Sequence, residues 1–523
     1  MRLKSWRDSV SNRMQMSKAA NAKPGVPMTA GTNPSAPPAE ASPAGEGHAA
    51  RTQRLGFGFL GVYASGALVE TTINFALTNF LLFYLTIVCG LPGTHAGAVG
   101  LISLAIDACI DPLIGSLSDN LRSPLGRRHP FLIAAAVPAG LALVLIFSIP
   151  SGVSGIGLFA YATVLSLTLR FALSAFQVPY YALGAELSED YVERSTIVAF
   201  RVGLAVVGTL VATILSYRVF LAGPGGTTHR EAYIPLAWSL GAIISVAGLC
   251  SGLGTLGARG RLHGPPAPGP APMARFIAEL REIFRNRSFR VLFSSLLIFF
   301  VAQGVSGPLT LYANTYFWKI STAQIGDLTL IYTGGLAVGI VLAGVLARRL
   351  EKRTLVLTGL TSFMLAQFVP APLRVAGLLP TPASVMGLLT VAVIFLGVGA
   401  SFALIGFQSM MADAADEHEH LFGARREGLY FAGINFSAKT SSGLGVLIAG
   451  VVLDVIGFPH GLAATTHAVI AQHSITSLGL IYGPGAGLVS FTAVTILTRY
   501  RLDRARHADI LQALGRSPAL PQS

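Results

Sequence analysis

Twelve stretches of this chain, each long and apolar enough to cross a bilayer, leave it little choice of architecture. Their approximate cores fall at 57–88, 95–118, 130–149, 155–183, 197–221, 233–256, 290–318, 323–347, 354–373, 383–412, 430–457 and 473–499. The hydrocarbon layer is about 30 Å thick, which a helix crosses in roughly 20 residues. No water is available there to satisfy backbone N–H and C=O groups, so each crossing must satisfy its own. Composition agrees: 12% of the residues are charged and the mean hydropathy is +0.62, against about 25% charged in a globular domain. The reading is an all-α membrane protein with twelve transmembrane helices.

A net charge of +13 would suit a nucleic-acid binder, but its distribution follows the membrane instead. With both termini cytoplasmic, the segments on that side hold 31 of the 37 Lys and Arg. The loops on the other side hold four: Arg218, Arg230, Lys319 and Arg374. This positive-inside bias fixes the orientation in a cell (inner) membrane. The basic residues are therefore assigned to topology and anionic lipid, with no nucleic acid as partner. Two cations, Arg170 and Lys439, lie deep inside spans.

Residues 1–53, rich in Pro, Ala, Gly and Ser with no apolar signal-peptide run, read as a disordered cytoplasmic tail. The Pro- and Gly-rich, then basic, segment 257–288 reads as a cytoplasmic linker, with a short amphipathic helix around Phe276–Phe284. It divides the chain into six-helix bundles over 54–256 and 289–500, followed by a second tail, 501–523. The halves carry traces of a repeat. Gly115-Ser-Leu-Ser recurs as Gly344-Val-Leu-Ala, and Phe176-Gln177 with Glu186 recurs as Phe407-Gln408 with Glu417, at nearly one offset. Parallel six-helix repeats are the pattern of major-facilitator transporters. Cys89, Cys109 and Cys250 have no metal-ligand spacing. His418 and His420, alternating with Glu417 and Glu419, read as a solvated loop. No metal site and no cofactor are expected.

The residues that carry chemistry are those that hydrocarbon should exclude. Asp107 and Asp111 stand one helical turn apart in span 2, on one face of the helix. One aspartate at the middle of a membrane helix costs about 2.5–3.5 kcal/mol, and two neighbouring like charges cost more unless a cation neutralises them. The pair reads as a site for a coupling ion, Na+ or H+, with a permanent salt bridge to Arg170 or Lys439 as the structural alternative. Span 1 shows Glu70, Asn74 and Thr78 in one stripe, with Thr71 beside it. Span 4 places Arg170 and Gln177 on one face, and span 11 places Asn435 one turn before Lys439. Such stripes face a bundle interior, where they serve either interhelical hydrogen bonding or substrate contact. Arg170 in particular suits helix packing or a sugar hydroxyl or carboxylate. The chain has no GxxxxGK[ST] run, so an ATP-driven pump is disfavoured, and no hydrolase signature suggests an enzyme.

Three blocks of sequence resemble a known family. They are Asp111-Pro-Leu-Ile-Gly-Ser-Leu-Ser-Asp119 with Gly126-Arg-Arg-His-Pro130; Pro179-Tyr-Tyr-Ala-Leu-Gly-Ala-Glu-Leu with Glu193-Arg194 and Arg201; and Ala412-Asp-Ala-Ala-Asp-Glu with Arg425-Arg-Glu-Gly-Leu-Tyr and Lys439. In this order they resemble the glycoside-pentoside-hexuronide:cation symporters, the melibiose-carrier branch of the major facilitator superfamily. The resemblance implies that Asp107 and Asp111 bind the coupling cation. It also implies that Arg201 and Lys439 lie near the sugar and cation sites, and that Tyr181 occupies a sugar-stacking position. Gln177 and Thr71 depart from carboxylates of the melibiose carrier, which puts galactoside recognition through those positions in doubt.

The expected function is cation-coupled symport of a sugar, glycoside or related polyhydroxylated solute by alternating access, carried out by a monomer. An exporter or a lipid-like-substrate carrier on the same fold is the alternative. Glu70, Thr71, Asn74, Arg170, Gln177, Tyr181, Arg201, Asn435 and Lys439 are the expected substrate-site residues. Asp119, Arg127, Arg128, Glu186, Arg194, Asp413, Asp416, Arg425 and Arg426, all at cytoplasmic helix ends, are expected to pair across the halves as a gate.

Overall fold

The computed structural model describes residues 55–188, 190–223, 226–261, 281–424, 426–461 and 470–516. The chain crosses in the expected order: α1 over 57–88, α2 Gly93–Asn120, α3 His129–Ile146, α4 Gly155–Glu186, α5 Val192–Phe220, α6 Arg230–Gly254. The second half repeats it with α7 Arg287–Phe317, α8 Thr322–Leu346, α9 Lys352–Val375, α10 Pro382–Phe422, α11 Glu427–Val455 and α12 Gln472–Leu497. Eleven of these are long and apolar enough to cross a membrane. The first is interrupted by a turn at Ser65–Gly66, between Phe57–Ala64 and Ala67–Ala76. A short helix, α13 (Arg504–Ala513), follows α12. Large side chains such as Leu113, Val164, Val341 and Leu488 point outward, fully apolar. Apolar side chains on the outer surface suit helices surrounded by hydrocarbon.

The halves meet along α1 with α7, α2 with α11 and α5 with α8. Their named contacts gather at the end away from the Lys- and Arg-rich loops. There α2 and α11 approach so closely that a Cβ on Gly450 would stand 2.1 Å from the Gly93 carbonyl oxygen. The carboxylate of Asp454, at the end of α11, accepts the first amides of α2. The Gly93 N–H reaches Oδ1 and the Thr94 N–H reaches Oδ2, both at 2.7 Å. Pro92, the residue in the N-cap position, offers no side-chain bond, so a carboxylate from the other half does the capping. Nearby, the Gly461 N–H donates to the Thr86 carbonyl at 2.8 Å, Thr86 and Tyr312 share a hydroxyl bond, and Phe83 packs on Tyr312 and Tyr316. Arg218 of α5 pairs with Asp327 of α8. This conformation is closed at that end.

At the basic end the structure differs from the expected gate. Arg127 and Arg128 both hold Glu186 at 2.8 Å, and Arg128 also holds Asp119 at 2.6 Å. The Arg194 Nε donates to the Ser188 carbonyl. In the second half Lys352 holds Asp413 at 2.7 Å, and Arg516 holds Asp416 at 3.2 Å. Each of these contacts joins two residues of one half, because the contacts that hold the halves together lie at the far end. Arg426 sits at the start of α11, and Arg425 lies outside the described residues.

The expected loop at 417–420 is a second correction. α10 continues for 41 residues, ~60 Å at 1.5 Å per residue, and buries Glu417 and His418 in its last turns. The segment after α12 folds back over them, with Tyr500 buried beside them and Arg506 4.0 Å from Glu417. The His418 ring lies against Phe422 and Tyr430, with Nε2 3.3 Å from Glu282. Glu417 and His418 are therefore internal, whereas His420 stays exposed. Of the expected linker helix, residues 281–283 form one helical turn with Ile283 buried. The rest of it, the first tail and residues 517–523 lie outside the described residues.

Candidate functional site

α2 and α11 cross the middle of the molecule side by side, and this brings Lys439 onto the aspartate pair. Lys439 Nζ donates to Asp107 Oδ2 at 2.8 Å and also bonds Asp111 Oδ2. The i, i+4 spacing aims both carboxylates the same way, and α11 comes close enough because its glycines face α2 and α7. At Gly445 a Cβ would stand 2.2 Å from the Gly304 backbone. Asp107 is almost fully buried, whereas the Asp111 side chain stays 31% and Lys439 29% exposed. Pro112 follows Asp111 directly and has no N–H, so the Ala108 carbonyl loses its helical donor beside the pair.

Ser174 of α4 completes the group. Its Oγ lies 2.7 Å from Asp107 Oδ1 and 2.7 Å from Asp111 Oδ1. A hydroxyl carries one hydrogen, so it donates to one carboxylate only. Two carboxylates, one ammonium and one hydroxyl thus form a site with a net deficit of one positive charge, built from both halves. The sequence reading omitted Ser174. The signal was present, since Arg170, Ser174, Gln177 and Tyr181 stand at i, i+4, i+7 and i+11, a single stripe on α4.

The rest of that stripe faces α1 and α5. Arg170 is within electrostatic reach of Asp107 and Asp111. Among the described residues it makes a long hydrogen bond, Nη1 to the Asn74 Oδ1 at 3.4 Å. Tyr181 donates its hydroxyl to Glu70, the Arg201 guanidinium lies over the Tyr181 ring at 4.5 Å, and Gln177 sits beside both Glu70 and Tyr181. A cation–π contact of this kind is worth about 0.5–2 kcal/mol and leaves the guanidinium edge able to bind something else. Lys439 acts electrostatically on Glu70 as well, so the two clusters adjoin. Thr71 is placed differently. Its hydroxyl is donated to the Ala67 carbonyl of its own helix, and the side chain faces Gly208 of α5. Asn435, one turn before Lys439 on α11, is exposed.

Such a group can exchange a small cation for an ammonium, and it can bind a polyhydroxylated or charged solute through the adjoining amides, guanidinia and aromatic ring. No described group of three or more His, Cys, Asp or Glu is arranged to hold a resident metal.

Comparison with known proteins identifies the family and the fold. The chain matches the family described as MFS/sugar transport protein over residues 62–504. An isoprimeverose transporter of Lactiplantibacillus pentosus is 24% identical over 440 residues, covering 83% of this chain and 86% of the relative. A putative 2,3-dihydroxypropane-1-sulfonate exporter of Escherichia coli (strain K12) is 24% identical over 472 residues, covering 88% and 96%. Among solved structures, a D-xylose-proton symporter is similar with a TM-score of 0.56 at 13% identity, over 85% of this chain and 97% of that one; this likeness shows the fold. The chain belongs to the MFS/sugar transport family, as a multi-pass membrane transporter of the major-facilitator fold and not an enzyme.

Proposed function

We propose that the protein is a secondary active symporter that couples a cation, Na+ or H+, to the movement of a sugar, glycoside or related polyhydroxylated solute. The observation that carries this reading is the clamp of Lys439, from the second half, on Asp107 and Asp111 of the first. A cation entering between the carboxylates competes with the ammonium for the same oxygens. Binding therefore loosens a bond between the halves, and the rocking equilibrium depends on whether the site is loaded. Ser174 supplies a third oxygen for Na+, or the partner that holds a proton on one carboxyl.

The solute sits beside this clamp, among Glu70, Asn74, Arg170, Gln177, Tyr181 and Arg201, with the Tyr181 ring as a surface for a sugar face. Asn435 stands at its edge on α11. Thr71 is kept out of contact by its bond to Ala67. With the basic loops in the cytoplasm, as their charge favours, the closed end faces outward and this conformation faces the cytoplasm. Asp119, Arg127, Arg128, Glu186, Arg194, Asp413, Arg425 and Arg426 would then exchange partners when the cytoplasmic side closes. The carrier works in the bilayer as a monomer.

The test is uptake of labelled glycosides into proteoliposomes under an imposed Na+ or H+ gradient, in both directions. Accumulation that follows one inward gradient supports symport and names the ion. Accumulation that no cation gradient alters would overturn it. Net movement against the cation, outward from cells, would favour the exporter reading that the sulfonate-exporter relative keeps in view.

A further inference from the structure

Four arginines meet around one small cavity at the basic end of the second half, where α7 begins and α12 ends. The cavity holds about 120 Å³ and takes its charge from Arg287, Arg499, Arg501 and Arg506. Three separate pieces of chain bring them there: the first turn of α7, the stretch after α12, and α13. Guanidinia gathered around one space repel one another, and an anion between them relieves it. The protein supplies little of that anion. Glu417 lines the cavity, 4.0 Å from Arg506. Among the described residues, Arg287, Arg499 and Arg501 have no carboxylate partner. Four guanidinia against one carboxylate leave an excess of three positive charges.

The inner wall carries polar atoms with nothing to bind. Tyr500 and Glu417 both line the cavity and are more than nine-tenths buried. The Tyr500 hydroxyl and the Glu417 Oε2 have no hydrogen-bond partner, although groups buried this deeply are nearly always bonded. At the start of α7 the Asn286 side chain caps the Phe289 N–H. The amides of Arg287 and Ser288, at the cavity wall, are among those that a helix leaves without an internal acceptor. They add the partial positive charge of a helix N-terminus.

Position decides what kind of anion fits. The cavity lies between two helices that pack together, at the level where α7 and α12 pass out of hydrocarbon. Val291 and Leu502 give it an apolar side. Lipid phosphates stand at this depth, in the polar layer beside the hydrocarbon, and basic pockets between membrane helices suit them.

We infer that this cavity binds the headgroup of an anionic phospholipid, its phosphate on the arginines and the first amides of α7. The open Glu417 oxygen accepts from a headgroup that also donates a hydrogen bond, as the hydroxyls of a glycerol headgroup do. The second half builds the site alone, apart from the central charges, so it does not depend on which solute is carried.

The experiment uses the full chain in detergent, freed of copurified lipid. Retained lipid is counted by native mass spectrometry, and thermal stabilisation is read beside it. The probes are phosphatidylglycerol, phosphatidylcholine and inorganic phosphate. The variants are Arg499→Gln with Arg501→Gln, Arg287→Gln alone, Tyr500→Phe, and a control pair on the same face, Arg348→Gln with Arg349→Gln. Each is first matched to the wild type in lipid-free melting temperature, and Arg287→Gln, on a different element, serves if the first pair fails that match. The wild type should retain one phosphatidylglycerol about tenfold or more tightly than phosphatidylcholine. The Arg499 and Arg501 pair should lose that preference, Arg287→Gln and Tyr500→Phe should weaken it several-fold, and the control pair should keep it. Inorganic phosphate at millimolar concentration should neither stabilise the protein nor displace the lipid. Equal retention of the two lipids would overturn the inference. An equal loss in the control pair would do so too, since it would mean diffuse attraction to basic loops. Phosphate that displaces the lipid and stabilises as well as it does would reassign the cavity to a soluble anion and overturn the lipid.

Discussion

At the scale of single residues, Lys439 is bound to both Asp107 and Asp111 inside the membrane. Asp107→Asn and Asp111→Asn remove one acceptor of Lys439 and one formal charge. Each is expected to abolish gradient-driven accumulation while insertion and folding persist, since neutralisation relieves the cost of burying a charge. Accumulation assays beside a count of folded protein check this, and wild-type accumulation in either variant would remove the cation site from these residues. Ser174→Ala keeps both carboxylates and the ammonium. It should weaken cation affinity by about tenfold, the value of one hydrogen bond to a charged group, with solute binding at saturating cation unchanged. Titrating cation-dependent solute binding separates the two. Gln177→Asp places a second carboxylate beside Glu70 and should reorder the preference among glycosides without altering ion stoichiometry. A changed stoichiometry with an unchanged ranking would contradict the placement of Gln177 on the solute.

At the scale of helices, the approach of α2 to α11 decides whether Lys439 reaches its partners. That approach depends on residues without side chains. Gly450→Val would force atoms against the Gly93 carbonyl. Overpacking of this kind costs about 1–3 kcal/mol, enough to move a conformational equilibrium roughly tenfold. The variant should favour the conformation open at that end. A cysteine placed at Thr94, in a background without Cys89, Cys109 and Cys250, should react several times faster with a maleimide; an unchanged rate would show that α2 and α11 do not separate there.

At the scale of the whole molecule, the closed end is held by bonds from one half to the backbone of the other. Asp454 capping α2 is the most directional of them. Asp454→Asn keeps the size but loses the charge and one of the two acceptors. A cap is worth about 0.5–2 kcal/mol, and the attraction of a carboxylate to the helix N-terminus is lost with it. The open population should rise by several-fold, read as faster labelling at Thr94 and as a wider distance distribution between spin labels on α2 and α11. Identical distributions in the variant and the wild type would assign closure to the glycine contacts and the Thr86–Tyr312 region alone.

The number of crossings, the helical class and the division into six and six were legible in the sequence, because hydrocarbon forbids unsatisfied backbone and rewards apolar side chains whatever they touch. Asp107, Asp111 and Lys439 stood out for the same reason: charge in a span is costly wherever it lies. Their meeting was legible in part: the cost of buried charge pointed to Arg170 or Lys439 as the partner, but the choice of Lys439 depends on which helix of one half lies against which of the other, and 332 positions separate Lys439 from Asp107. Ser174 escaped notice since a serine in a membrane helix costs little and carries no signal until two carboxylates are placed around it. Glu417 and His418 misled in the opposite sense, as a polar run can face solvent or be folded over by its own chain, and only the return of residues 499–516 decided between them. The basic helix ends announced their charges but not their partners. Composition measures the cost of burying a group, whereas tertiary structure chooses the neighbour that offsets it.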